Sequence, residues 1–398
     1  MKIIIAGAGE VGTHLAKLLS YEGHDLTVID IQNSELKNVS EHLDLLSISG
    51  NVLSINTLTD AKIQETDLFI AVTHFTSQNI SSAILAKKLG ARQTIARVRD
   101  AEYLKPKNAQ IFKELGIDSL IFPQYLAAQE ISNFLKQASS REVFDFADGR
   151  LTLFVIKLDE DAPVIGKTLN ESAKMNPTFD YRAVAITRNG QTIIPTGNDK
   201  FNVNDIAYVV SNKRGIKKVY GFTGKKKVDI NKVMILGGSR TGISAALLLE
   251  NQFEVKLIEQ DKAKALTLTD IFNNTLVIHG DGRNTDLLVE EGIRKTDAFI
   301  AVSGDSETNI LSCLLAKRLG VKKTIAEVNN IDYIDLAEGM GIDTIINRKI
   351  IAASNIYKFT LHAEVSTVRH LTQTDAEVLE FVGKKDSAII GKPIKECN

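Results

Sequence analysis

A glycine-rich turn near the N-terminus has the residue types and spacing of a phosphate-binding loop. It reads GAGEVG over residues 7–12 and directly follows the apolar run IIIA at residues 3–6. Gly7 allows a tight turn, Gly9 lets the backbone approach a pyrophosphate, and Gly12 permits close packing of the following helix. The free N–H groups and positive dipole at the start of that helix favour an anion. The candidate contacts in this turn are Gly7, Ala8, Gly9, Glu10 and Val11.

Charged side chains stand where the neighbouring predicted strands end. Asp30 ends the second apolar run, where a carboxylate can accept both ribose hydroxyls of a dinucleotide and disfavours a 2′-phosphate. Arg97 ends the fifth run and His74 follows the fourth, so both lie near the ligand edge of a parallel sheet. A salt-bridged or solvated strand end is the alternative for Arg97, and an ordinary loop residue is the alternative for His74.

The same pattern occurs twice, which indicates a duplicated module. Residues 231–242 read NKVMILGGSRTG, and this segment corresponds to MKIIIAGAGEVG at residues 1–12. TDLFIAVTHFTSQNISSAILAKKLG at 66–90 is matched, at the same spacing, by TDAFIAVSGDSETNILSCLLAKRLG at 296–320. A chance glycine motif would not carry this register with it, so the repeat governs the interpretation of the fold.

The second copy of the turn is altered, and two interpretations of it remain open. Its candidate residues are Gly237, Gly238, Ser239, Arg240 and Thr241, with Glu259 in the place of Asp30. Ser239 replaces the glycine that approaches the pyrophosphate, while Arg240 offers charge to a phosphate. The segment is therefore either a second nucleotide site or a purely structural remnant. Glu327 stands where the first copy has Arg97, so the two copies are not expected to bind one ligand equally well.

The distribution of apolar runs predicts an α/β protein. Near-continuous apolar runs alternate with helical patterns over 1–140 and again over 231–365, as in doubly wound, Rossmann-like parallel sheets with helices on both faces. Strand-like alternation over 141–221 predicts a small α+β domain, and 222–230 reads as a polar linker. Residues 366–398 repeat only the beginning of that small domain, so we expect the second copy to be truncated.

Composition and motif content exclude several classes of protein. The net charge of −1 argues against a nucleic-acid-binding surface. The seven histidines show no metal-ligand spacing and no nucleophile partner, so no catalytic residue and no metal site is predicted. There is no signal peptide pattern and no run of about 18 apolar residues, which favours a cytoplasmic protein that reaches a membrane only through a partner.

These residues resemble the TrkA-type regulators of bacterial Trk potassium uptake, which are built from RCK (regulator of K⁺ conductance) domains. The resemblance covers the whole chain and rests on six short motifs: GAGEVG at 7–12, TVID at 27–30, FIAV at 69–72 and 299–302, TNILSCLLAKRLGVKK at 308–323, VKLIE at 255–259 and VIGKTL at 164–169. It implies tandem copies of an RCK N-terminal Rossmann domain and a small RCK C-terminal domain, the second one partial.

The resemblance also implies a function. The chain would be a non-enzymatic, nucleotide-sensing subunit that gates a Trk-type membrane potassium channel or transporter from the inner face of the cell membrane. It implies NAD(H) as ligand, with ATP or ADP as alternatives, and a homo-oligomeric ring, expected to be a tetramer. By position it adds Thr73 to the candidate nucleotide contacts, beside His74, Arg97 and the two glycine turns. His74 and Ser239 depart from the family's usual residues. The alternative functions are an NAD-dependent oxidoreductase and a redox-sensing DNA regulator.

Overall fold

The computed structural model describes residues 1–41, 43–136, 142–146, 150–175, 181–189, 191–212, 229–360, 365–370, 377–381 and 391. Within these residues the strands form two six-stranded sheets, a five-stranded sheet and a two-stranded sheet. Most of the predicted linker at 222–230 and much of the segment 366–398 lie outside the described residues. The boundaries given above for the individual domains stay predictions.

The first six-stranded sheet is parallel and has the strand order β3-β2-β1-β4-β5-β6. Its apolar strands are covered on both faces, as their near-continuous hydrophobicity requires. The strands are β1 (Lys2–Ala6), β2 (Asp25–Asp30), β3 (Leu46–Ser49), β4 (Leu68–Ala71), β5 (Gln93–Arg97) and β6 (Ser119–Ile121). The helices in this part of the chain are α1 (Glu10–Tyr21), α2 (Asn33–Ser40), α3 (Ile55–Asp60), α4 (Thr76–Leu89), α5 (Pro106–Glu114) and α6 (Pro123–Lys136).

The second six-stranded sheet repeats this topology with the order β14-β13-β12-β15-β16-β17. Its strands are β12 (Lys232–Leu236), β13 (Glu254–Glu259), β14 (Leu276–His279), β15 (Ala298–Ala301), β16 (Lys323–Glu327) and β17 (Thr344–Ile346). The helices are α8 (Arg240–Leu249), α9 (Lys262–Thr269), α10 (Thr285–Glu290), α11 (Ser306–Arg318), α12 (Ile334–Gly339) and α13 (Arg348–Tyr357). The predicted α/β class with two Rossmann-like doubly wound sheets is confirmed.

A smaller antiparallel sheet lies between the two repeats in the chain. Its strands are β7 (Glu142–Phe146), β8 (Leu151–Lys157), β9 (Tyr181–Arg188), β10 (Gln191–Ile193) and β11 (Ile206–Asn212), with the short helix α7 (Leu169–Lys174). The order is β10-β9-β11-β8-β7, and β9 and β10 form the hairpin that the RNG turn predicted. Near the C-terminus, β18 (Val365–His370) pairs antiparallel with β19 (Glu377–Phe381).

The last helix of each repeat packs against the other repeat. Ala127, Ile131 and Phe134 of α6 lie in one hydrophobic core with Val233 of β12, so this helix covers the second sheet. In return, four side chains of α13 join the core of the first sheet: Ala352, Ala353, Ile356 and Tyr357. We refer to α6 and α13 as the exchanged helices. Each Rossmann unit, meaning a six-stranded sheet with its covering helices, is therefore completed by a helix from the other half of the chain.

Candidate functional site

The first glycine turn contains two glycines that the fold itself requires. Gly7 has a φ of +116°, and a Cβ there would lie 2.9 Å from the Thr73 backbone nitrogen. A Cβ on Gly12 would collide with the Gly7 carbonyl oxygen, because α1 starts directly against the turn. Neither position can carry a side chain without displacing backbone. These two glycines are explained by packing alone.

Gly9 is different, because the fold leaves space beside it. Its φ is −66°, which any residue can adopt, and it stands at the N-cap of α1. A Cβ there would meet only the exposed ring of His74, with the nearest atom, Cε1, at 3.5 Å. No packing contact demands a glycine at this position, so its backbone is open toward the neighbouring cavity.

Asp30 is held beside this open face by the backbone. Its Oδ2 accepts a hydrogen bond of 2.7 Å from the Ala8 N–H, and its Oδ1 accepts one of 2.9 Å from the Gln32 N–H. A carboxylate has about four acceptor positions, so two fixed bonds leave capacity for the hydroxyls of a ligand. These two hydrogen bonds fix the Asp30 carboxylate between the glycine turn and the end of β2.

A cavity of about 350 Å³ opens at this edge of the sheet. Five of the predicted residues line it, namely Gly7, Gly9, Asp30, Thr73 and His74. The remaining wall is formed by residues that follow β2, β3 and β4: Ile31, Gln32, Glu35, Gly50, Asn51, Val52, Phe75 and Gln78. Of the other predicted residues, Ala8 and Val11 are buried, and Glu10 and Arg97 do not line the cavity.

One buried amide that the sequence reasoning missed fixes the loop after β4. Asn79 Oδ1 accepts from the Thr73 N–H at 2.8 Å and from its hydroxyl at 2.7 Å. The Asn79 Nδ2 donates to the Arg97 carbonyl at 2.9 Å, which ties this loop to the end of β5. Asn309 makes the equivalent bonds in the second repeat, to Ser303 and to the Glu327 carbonyl. The sequence signal for this role is the asparagine that stands at the same place in both repeats.

The second turn keeps the fold of the first but presents a different surface. Gly237 has a φ of +103°, and the Ser239 hydroxyl caps α8 by accepting from the Gly242 N–H at 3.2 Å. A smaller cavity of about 230 Å³ is lined by Gly237, Gly238, Ser239 and Glu259, whereas Arg240 and the buried Thr241 do not line it. The Ser239 side chain thus occupies the position that corresponds to the open face of Gly9 in the first turn.

The carboxylate of Glu259 has more bonding partners within the protein than that of Asp30. Its carboxylate accepts from Gly238 N–H at 3.0 Å and Asp261 N–H at 2.9 Å, and it pairs with Lys264 Nζ at 2.8 Å. Burial raises the pKa of Glu259, but the Asp261 hydrogen bond and Lys264 outweigh this effect and hold the pKa below its ordinary value. A ribose at this site would compete with Lys264 for the carboxylate, so the two cavities differ in what they offer a nucleotide.

Several guanidinium groups gather where the two Rossmann units meet. Burial lowers the pKa of Arg97, and the positive charges of Arg99, Arg348 and Arg240 lower it further, against the opposing effect of Glu10. The Nε atoms of Arg97 and Arg99 are buried and have no hydrogen-bond partner among the described residues. Arg240, which the sequence assigned to the second turn, thus contributes its charge at the first unit's Arg97.

Two ion pairs connect the exchanged helix α13 to this region. Arg348 Nε lies 3.1 Å from the Glu327 Oε1, and Glu327 is only 1% exposed. The next residue, Lys349, places its Nζ 3.3 Å from the Glu10 Oε1 in the first glycine turn. Glu327, which stands where the first copy has Arg97, is therefore paired with Arg348 of α13, whose positive charge also acts on Arg97.

Domain models of one protein family match both Rossmann units and the segment between them. The TrkA-N domain model matches residues 3–123 and again residues 233–348, and the TrkA-C domain model matches residues 153–224. The chain belongs to the TrkA family.

Relatives of known name match over essentially the whole chain. The Trk system potassium uptake protein TrkA of Haemophilus influenzae is 34% identical over 401 residues, which cover 100% of this chain and 88% of that protein. The Vibrio alginolyticus protein of the same name is 32% identical and covers 99% and 87%. A TrkA homolog 1 of Methanosarcina mazei is 30% identical and covers 100% and 98%. The resemblance predicted from the sequence is confirmed, and the homologues assign the TrkA-family protein to potassium transport.

Solved structures share the fold of this TrkA-family chain. The GsuK channel bound to NAD has a TM-score of 0.66 at 17% identity, with 90% of this chain and 63% of that chain covered. GsuK bound to ADP has a TM-score of 0.57 at 13% identity and covers 91% and 69%. The human SLO3 gating ring has a TM-score of 0.52 at 11% identity and covers 90% and 82%. At these identities the likeness shows the RCK fold.

Two further observations concern the described residues alone. None of their helices is both long and apolar enough to span a membrane. Among the same residues there is no group of three or more histidine, cysteine or acidic side chains that could hold a metal ion.

Proposed function

We propose that this TrkA-family protein is a non-enzymatic regulator in which a nucleotide bound to the first Rossmann unit controls a membrane potassium transporter. The observation that carries the proposal is the open face of Gly9 beside the fixed Asp30 carboxylate. The fold requires glycine at positions 7 and 12 but not at position 9. The absence of a side chain at Gly9 would let a diphosphate approach the backbone. Asp30 would accept the ribose hydroxyls, and the N-terminus of α1 would face the phosphates.

NAD(H) is the proposed ligand, with ADP or ATP as the alternatives. Support comes from the acidic residue at the end of β2 and from the GsuK structures, whose names state that they hold NAD and ADP. The second cavity would bind a nucleotide more weakly, because Ser239 caps α8 and Lys264 already pairs with Glu259. The positive charges that act on Arg97 between the units would make their relative position sensitive to an anion.

The proposed partner is a Trk-type membrane channel or transporter subunit at the inner face of the cell membrane, contacted by a homo-oligomeric ring, with four subunits the expected number. A ligand can shift such an assembly only if it prefers one arrangement of the Rossmann units over another. The exchanged helices and the Lys349 to Glu10 ion pair connect the segment that carries the first turn to the second repeat, so a nucleotide bound at this turn would act on the second repeat through them.

The first test concerns ligand selectivity. Wild-type protein is expected to bind NAD⁺ and NADH at least about tenfold more tightly than NADP⁺ and NADPH, because a 2′-phosphate would lie against the Asp30 carboxylate. Calorimetric titration with the four dinucleotides measures this preference. Asp30→Ala should remove most of the difference, and Glu259→Ala serves as the matched control in the second repeat. Equal binding of NADP(H) by wild-type protein would overturn the role of Asp30.

The second test measures function directly. Potassium flux through the cognate Trk transporter in liposomes is expected to become nucleotide-dependent when this protein is added, by about 5- to 150-fold in apparent affinity or open fraction. Asp30→Ala should blunt the response to a ligand at the first turn, while Glu259→Ala should affect only a ligand at the second. Unchanged flux under every nucleotide, together with NADH turnover on some metabolite, would replace the regulator by an oxidoreductase.

A further inference from the structure

The loop after β4 differs between the repeats at the residue that starts the next helix. In the second repeat Asp305 holds the N-cap of α11, and its carboxylate accepts a hydrogen bond of 2.8 Å from the Thr308 N–H. In the first repeat the equivalent N-cap position of α4 is Phe75, which makes no capping hydrogen bond. Asp and Ser stabilise a helix start, whereas a large apolar residue does not. The first repeat therefore forgoes a stabilising residue at this position.

Phe75 also gains little from burial. Its side chain is 62% exposed, and it lines the cavity beside the first glycine turn. Ile31, which directly follows Asp30, is 69% exposed and lines the same cavity. Because β2 and β4 flank β1 in the sheet, these apolar side chains border the cavity from the two sides of the glycine turn. A ring that neither caps its helix nor packs in a core has a surface available to a ligand.

We propose that Phe75 is a base-stacking residue, which holds the purine ring of the nucleotide against the wall that Ile31 completes. The proposal rests on the function proposed above and adds how the first site selects its ligand. Asp30 places the ribose, and Ile31 stands one residue further along the same strand end, so the attached base lies at the apolar part of the cavity. The second cavity has Asp305 at the equivalent position and lacks this stacking surface.

The test replaces Phe75 by a residue type that is favourable at a helix N-cap. Phe75→Ser supplies a neutral N-cap and removes the ring, so the unfolding temperature without ligand should stay equal or rise. The affinity for ADP and for NAD⁺ should fall about tenfold, within the range that stacking of one base on an aromatic ring supplies. Phe75→Tyr keeps the ring and should retain binding within about twofold. A residue with only a structural role would lose stability and affinity together.

Two comparisons keep the outcomes distinct. Tyr21→Ser removes another aromatic side chain of the same unit, 76% exposed at the end of α1 and outside the cavity, and should leave affinity unchanged. The fluorescence of 1,N6-etheno-ADP reports stacking directly and should change on binding to wild type and Phe75→Tyr, but not to Phe75→Ser. If wild-type protein binds neither ADP nor NAD⁺, the proposed function fails. If it binds them and Phe75→Ser binds equally well, only the stacking role of Phe75 is wrong.

Discussion

Replacement of Gly9 by valine is expected to abolish most nucleotide binding at the first site while leaving the fold intact. The backbone at Gly9 is extended, with a φ of −66°, and the nearest atom to an added Cβ belongs to the movable ring of His74. The branched side chain would then fill the space that a pyrophosphate needs, and an affinity loss of at least about tenfold corresponds to only about 1.4 kcal/mol. Calorimetry with NADH and ADP, together with thermal unfolding, measures both effects.

Gly12→Ala is the matched control for this experiment. Its Cβ would overlap the Gly7 carbonyl, so this smaller substitution should lower the unfolding temperature clearly, with a typical overpacking cost of about 1–3 kcal/mol. The reciprocal change in the second repeat, Ser239→Gly, should open that turn to phosphate at a small loss of helix capping. Affinity of Gly9→Val within twofold of wild type, at unchanged stability, would show that Gly9 does not line the phosphate site.

Arg348→Ala is expected to cause the largest loss of stability among single substitutions at the contact between the units. Glu327 is 1% exposed, its Oε2 has no hydrogen-bond partner among the described residues, and its Oε1 pairs with Arg348. Removing the cation leaves a buried carboxylate without its counter-charge. Breaking a buried pair in this way typically costs about 3–5 kcal/mol, and the partial exposure of Arg348 points to the lower end. Urea unfolding followed by circular dichroism measures the change.

A double substitution separates the lost charge from the lost packing. Glu327→Gln with Arg348→Met removes both charges and keeps similar side-chain volumes, so it should recover most of the stability that Arg348→Ala loses. Lys349→Ala breaks the more exposed pair with Glu10 and should cost less than about 1 kcal/mol. Equal losses for Lys349→Ala and Arg348→Ala would contradict the assignment of Glu327 as a buried ion-pair member.

Local sequence patterns were sufficient for the two glycine turns and for the strands beside them. Each turn follows a buried strand in a register that the repeat shows twice, so the sequence alone places Gly7, Gly9 and Asp30 relative to one another. The cavity contains these residues together with Thr73 and His74. Their roles toward a nucleotide stay predictions that the experiments above address.

The arrangement of the exchanged helices could not be predicted in the same way. Ala127, Ile131 and Phe134 form an apolar stripe on α6, but such a stripe fits either sheet equally well. Which sheet it covers depends on how the two units dock, and no local pattern encodes that. The effect of the Arg240 charge on Arg97 has the same origin, because it depends on how the second turn is placed against the first unit.

The exchanged helices also connect each Rossmann unit to a β-strand that follows the other repeat in the chain. α6 packs against the second sheet and contacts β7 of the small antiparallel sheet, while α13 packs against the first sheet and contacts β18. Each Rossmann unit is therefore linked, through a helix of the other repeat, to the segment that follows that repeat in the chain. We expect a change in the angle between the two units to displace β7 and β18 together, because each strand contacts a helix that packs on the other half of the chain.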